Sequence, residues 1–200
     1  MKQTVIALTV LFLAGCSQKS QVLPGVDTRL QLGLLYLEQR AYPLAQRHLR
    51  QAMTQAPDDY RSHLAMARYH HDTGDNTQAA RSYKTARQLQ PKNRDVINNY
   101  GAFLCRLGQY DAAQQQFEIA LKSSSGDARR QALENAGYCY LNAGVWKNAK
   151  ALLIEATAHD PVRQRELLAE ARRRKSQQEF TAFQLLTEVY HHRASDTGST

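Results

Sequence analysis

Residues 95–120 read DVINNYGAFLCRLGQYDAAQQQFEIA, and this stretch decides the fold. Ile97, Tyr100, Gly101 and Leu104 recur at helical spacing and share one face of a first helix. Gly108 marks a turn, and Tyr110, Ala113, Phe117 and Ala120 stripe a second helix. The small residues carry as much information as the large ones. Gly101 and Ala113 remove side-chain bulk where the two helices meet, and Phe117 fills the gap that opens further along. A helical hairpin of this size cannot bury both faces alone, so it needs neighbours.

The neighbours are present and in register. A small residue recurs at Gly33, Ala67, Gly101 and Gly137, and alanine recurs at Ala45, Ala79, Ala113 and Ala149, then at Ala52, Ala86, Ala120 and Ala156. A large apolar residue recurs at Leu49, Tyr83, Phe117 and Leu153. Every series steps by 34, 34 and 36 residues. A turn glycine recurs at Gly74, Gly108 and Gly144, with Arg40 in its place in the first copy. Aromatics follow at Tyr42, Tyr110 and Trp146, and Pro57, Pro91 and Pro161 close three of the four copies. This register resembles the tetratricopeptide repeat (TPR). The resemblance implies an all-α fold, a right-handed TPR superhelix of antiparallel helix pairs. The repeats expected are 26–59, 60–93, 94–127 and 130–163. The two extra residues fall in the loop Leu121–Asp127, with Asp127 expected to cap the next helix. Leu167, Leu168 and Ala171, then Phe180 to Tyr190, suggest two further helices, a degenerate fifth repeat over 164–192 acting as a cap, followed by a frayed tail over 193–200.

The N-terminus is of another kind. In MKQTVIALTVLFLAGC, Lys2 precedes an apolar stretch of about 11 residues, Thr4 to Ala14. A bilayer span needs roughly 20. An ordinary secretory signal fits the stretch. With Leu13-Ala14-Gly15-Cys16 at its end, the segment also resembles a bacterial lipoprotein signal with its lipobox. That resemblance implies a signal peptide over 1–15, cleavage before Cys16 and acylation of Cys16. Ser17, in place of an aspartate, implies sorting to the outer membrane, where acyl chains hold the protein on the periplasmic face. Residues 16–25, with Pro24 and Gly25, then form a short lipidated tether.

With 200 residues, 42% hydrophobic and a net charge of +8, the chain is long enough for a short solenoid. A nucleophile elbow, a phosphate-binding glycine loop and an HExxH pair are all lacking, so no enzyme activity and no cofactor are expected. His63, His70 and His71 lack accompanying cysteines or carboxylates at ligand spacing and read as solvated or packing residues, not a metal site. The basic run Arg172–Lys175 reads as a solvated face, with phospholipid head groups, an acidic partner or peptidoglycan-associated polymers as alternatives. It lacks stacking aromatics, so no nucleic-acid partner is expected. Once Cys16 is set aside, Cys105 and Cys139 remain. In an oxidising compartment they form a disulfide between adjacent repeats or stay as two buried thiols, and the disulfide is expected.

In TPR proteins the first helix of each repeat lines the concave face. The corresponding positions here are Leu30, Leu34 and Leu37, then Leu64, Arg68 and His71, then Asn98, Ala102 and Cys105, and last Glu134, Tyr138 and Leu141, so the groove should be most apolar at its N-terminal end and more polar further on. The groove residues expected are Leu30, Leu34, Leu37, Leu64 and Arg68. The leucines either receive an amphipathic partner segment or pack against the tether or another repeat.

The segments NNYGAFLCRLGQYDAAQQQF (98–117) and ALENAGYCYLNAG (132–144), with the LAGC box, resemble the type IV pilus biogenesis and stability lipoproteins, the TPR pilotins of the pilus secretin. The resemblance covers about residues 1–190 and weakens in the C-terminal part, where relatives carry fuller fifth and sixth repeats. It implies an outer-membrane lipoprotein that binds the secretin subunit and promotes its localisation and multimerisation, with other pilus assembly proteins as further partners. The alternative is a periplasmic TPR adaptor for pilus stability or for peptidoglycan-enzyme complexes.

Overall fold

The computed structural model describes residues 25–196. Cys16, the expected signal peptide and most of the tether lie outside these residues. The described chain is helical throughout, with no strand. Its helices are α1 (Val26–Glu38), α2 (Tyr42–Gln55), α3 (Tyr60–Asp72), α4 (Asn76–Leu89), α5 (Arg94–Arg106), α6 (Tyr110–Ser123), α7 (Gly126–Asn142), α8 (Trp146–Ala156) and α9 (Pro161–Asp196). Successive helices from α1 to α8 pair as four antiparallel hairpins; α1 packs on α3 and α5 on α7, while the second and third hairpins meet through α4 and α5. This is the TPR solenoid that the 34-residue register implies.

The small residues sit where helices cross. A Cβ built on Gly33 would overlap Leu49 Cδ2, and one on Gly101 would lie 2.9 Å from Phe117 Cε1. At Gly137 the distance to Leu153 Cγ would be 2.9 Å. Leu49, Phe117 and Leu153 are fully buried, so they have little room to withdraw. The turns between paired helices need left-handed backbone. Gly74, Gly108 and Gly144 adopt φ of 84°, 74° and 77°, and Arg40 is forced to 56° in the first repeat. Asp59, Asp75 and Asn93 cap α3, α4 and α5 by accepting backbone N–H bonds from the first turn.

Each joint between repeats is held by different chemistry. Leu30 and Leu37 of α1 pack with Ala65 and Met66 of α3, and Arg61 reaches back to Asp27 at 2.8 Å. The second joint is aromatic: Tyr83 lies 4.9 Å from Phe103 and 5.7 Å from Tyr100 between ring centroids, and His71 meets Phe103 edge-on. The third is covalent. Cys105 of α5 and Cys139 of α7 form a disulfide with Cα atoms 5.7 Å apart, and Asn135 donates to Asn98 close by.

Three expectations change. The fourth repeat begins at Gly126, and Ser125 occupies the cap position. Asp127 therefore does not cap α7 but lies in its first turn, where it faces Arg130 at 3.3 Å and complements the helix dipole. The expected fifth helix pair over 164–192 is a single helix, α9. Nothing between Ala171 and Phe180 supplies a turn: RRRKSQQE contains neither glycine nor proline and is rich in helix-favouring residues. Leu167 and Ala171 of α9 are buried against the fourth repeat, so the helix still closes the end of the solenoid. The expected frayed tail is helical as far as Asp196, and residues 197–200 lie outside the described part.

Candidate functional site: the concave cleft of the first three repeats

The first helices α1, α3 and α5, with Tyr83 of α4, line an open cleft of about 900 Å³. Its apolar floor is Leu30, Leu34, Leu64 and Ala65. Leu34 and Leu64 are half-buried and accessible from the cleft, while Leu30 and Ala65 are almost wholly covered. Four of the five expected groove residues, Leu30, Leu34, Leu64 and Arg68, therefore meet along one surface. Leu37 does not. It is 3% exposed and packs in the core between the first two repeats. His71 likewise turns inward against Phe103, and Cys105 into the disulfide.

The reason is helical phase. From Arg68 the concave face continues at the fourth residue, not the third, because a turn holds 3.6 residues. Asp72 and Arg106, which follow Arg68 and Ala102 by four, line the cleft in place of His71 and Cys105. At the other end of the helices, Asp27, Arg61 and Asp95 line it, again one repeat apart. Periodicity of apolar residues could not find these positions, because all are charged. The signal was the recurrence of charge at the same 34-residue step.

The floor thus lies between two ionic rows. In one, Arg61 binds Asp27 at 2.8 Å and Asp59 at 2.7 Å. Burial raises the Asp59 carboxyl pKa, but hydrogen bonds from the Arg61 side chain and backbone outweigh it and hold the group below its usual range. Asp59 is therefore ionised while it caps α3, and Arg61 is held at the cleft rim. In the other row, Arg68 lies 3.7 Å from Asp72 and 3.9 Å from Glu38. These longer, exposed contacts are weak and readily exchanged for a ligand's charges. Arg106 makes no ion pair among the described residues. An apolar strip with polar margins fits the apolar face of an amphipathic segment and fixes its orientation through the edges. Among the described residues no cluster of His, Cys, Asp and Glu has the grouping of a metal site, and no helix is long and apolar enough to cross a membrane.

Comparison with known proteins places this architecture. Two family models, both described as tetratricopeptide repeat, match residues 30–94 and 70–136. An uncharacterised protein of Haemophilus influenzae is 34% identical over 143 residues, covering 70% of this chain and 80% of that protein. The type IV pilus assembly protein PilF of Pseudomonas aeruginosa is 31% identical over 111 residues. Those residues make up 56% of this chain and 44% of PilF, so the match spans less than half of that relative. Among solved structures, PilW, described as a widely conserved type IV pilus biogenesis factor, superposes with a TM-score of 0.67 at 25% identity, covering 76% of this chain and 70% of PilW. The Pseudomonas aeruginosa PilF structure gives 0.64 at 25% identity, covering 76% and 72%. With the repeat register, the helix pairs and these matches in agreement, the chain belongs to the tetratricopeptide-repeat family and is similar to TPR factors of type IV pilus biogenesis.

Proposed function

We propose that this protein is an outer-membrane lipoprotein, anchored through Cys16, that binds the type IV pilus secretin subunit in its concave cleft and promotes secretin multimerisation in the outer membrane. The observation that carries the binding role is the accessible apolar floor of Leu34 and Leu64 set between two rows of charge. The similarity to PilW and PilF supports a place in pilus assembly, and the LAGC box supports the lipid anchor. No catalytic step is needed. The solenoid supplies an extended surface, and the acyl chains supply the address.

Cells lacking the protein test this reading. Unheated membrane fractions run on a detergent gel should lose the heat-resistant secretin multimer and show monomer. An intact, correctly placed multimer with absent or unstable pili would replace the reading with an adaptor that acts after pore formation. Leu34→Asp with Leu64→Asp should give the same loss of multimer with the helical fold retained, because both side chains open onto the cleft. Leu37→Asp is unsuitable for this test, since it places a charge in the core.

A further inference from the structure

The basic run Arg172–Lys175 has no part in the cleft, and the structure divides its cations into two sets. Between Pro161 and Lys175, α9 carries Arg163, Arg165, Arg172, Arg173, Arg174 and Lys175. Arg163 faces Glu134 and Glu166, Arg174 binds Glu170, and Lys175 binds Glu179. Arg165, Arg172 and Arg173 make no ion pair among the described residues. The three share one side of the helix. At 3.6 residues per turn they fall with Val162, Ala169 and Phe180, opposite the buried Leu167 and Ala171. Val162 is 57% exposed and Phe180 61%, the largest exposures of any large apolar residues described. Two carboxylates flank this face, Glu166 and Glu179, and each faces a cation outside it, Arg163 and Lys175.

We propose that this outer face of α9 is a contact surface for an anionic phospholipid bilayer. The strip is the outer face of a single helix, opposite the buried Leu167 and Ala171, and runs about 27 Å from Val162 to Phe180 at 1.5 Å per residue. Such a face presents its charges and apolar groups to a plane, which a lipid surface offers. Guanidinium groups pair with phosphate through two parallel hydrogen bonds. The exposed Val162 and Phe180 that flank them reach the boundary between head groups and acyl chains. Each arginine near an anionic surface strengthens binding about fivefold.

The test uses the chain from Ser17 to Thr200, which contains every described helix, sedimented with phosphatidylcholine vesicles with or without phosphatidylglycerol. Binding should require phosphatidylglycerol and weaken with salt. Arg165→Gln, Arg172→Gln and Arg173→Gln together should lower binding about a hundredfold. Phe180→Ser should lower it about tenfold, and Arg174→Gln, from the paired set, should change it little. Equal binding to both vesicles overturns the proposal, as does unchanged binding by the triple variant, which would assign the effect to the overall charge, +8 for the full chain and +7 without Lys2. Poly-glutamate is the protein-like control. If it binds with the same arginine dependence while vesicles do not, the face is an acidic-protein surface and the lipid proposal falls. The readout does not involve the secretin, so the result stands apart from the proposed function.

Discussion

The first two repeats and the last two are built on the same unit, yet they are joined differently. The joint between α1 and α3 rests on leucine packing and the Arg61–Asp27 ion pair. The joint between α5 and α7 is cross-linked by Cys105–Cys139. The cleft lies over the joints without a covalent tie, and only its far wall, α5, belongs to the cross-linked half. The difference teaches that one chain can separate a surface that adjusts to a partner from a frame that does not. In a solenoid, where each repeat touches only its neighbours, such a division is feasible because stability is close to a sum of local terms.

Reducing the disulfide should have the largest effect. The loop it closes spans 34 residues, for which chain entropy predicts about 4 kcal/mol. Hydrogen exchange with and without reductant locates the change. Amide protection should fall in α5–α8 and change less in α1–α2. Equal loss in both halves would break the comparison and make the solenoid a single cooperative unit.

Packing mutations rank next. Gly33→Val and Gly101→Val place side chains against Leu49 and Phe117, and each should cost about 1–3 kcal/mol in denaturant melts. Ala67 shows that the second repeat accepts a Cβ at the same position, so Ala67→Gly should cost only about 1 kcal/mol, from helix propensity. If valine is tolerated at Gly33 and not at Gly101, the first repeat is looser than its buried Leu49 implies.

Acidification should act on the first half. His48 is 7% exposed, and its pKa is lowered by burial and then by Arg47 and Arg29. His70 and His71 are also lowered, chiefly by burial. The unfolded chain therefore binds protons before the folded one does. Stability is full above the ordinary histidine value of 6.5 and falls as pH drops through it. Thermal melts should show this slope, and His48→Gln should flatten it. An unchanged slope would remove His48 from the account.

The smallest effect is expected at the first turn. Arg40→Gly relieves a φ of 56° that the other three turns assign to glycine. It should stabilise by about 0.5–1 kcal/mol, the strain relieved less the entropy that glycine adds to the unfolded chain. A loss of stability would mean that the Arg40 side chain does more than occupy the turn.

Most of the fold was legible because the repeat writes its packing into residue size. Gly33, Ala45, Leu49 and Ala52 recur one unit apart and meet as their sizes require. The end was not legible on the same grounds. The apolar residues from Phe180 onward suggest a second helix, but a hairpin also needs a turn, and RRRKSQQE supplies none. In the cleft, the leucines revealed the floor but placed its third row one residue early. Charge, recurring at Asp27, Arg61 and Asp95 and at Asp72 and Arg106, marks the true rim. Leu37 shows the limit of spacing alone: one residue of helical phase moves a side chain from the groove to the core.

The disulfide also bears on mechanics. A superhelix pulled or twisted from its ends behaves as a spring with one joint between each pair of repeats. The Cys105–Cys139 bond removes the third joint from that spring. Deformation is then concentrated at the two joints beneath the cleft, so a load on the molecule is converted into a change in cleft width, and with it a change in hold on whatever lies there.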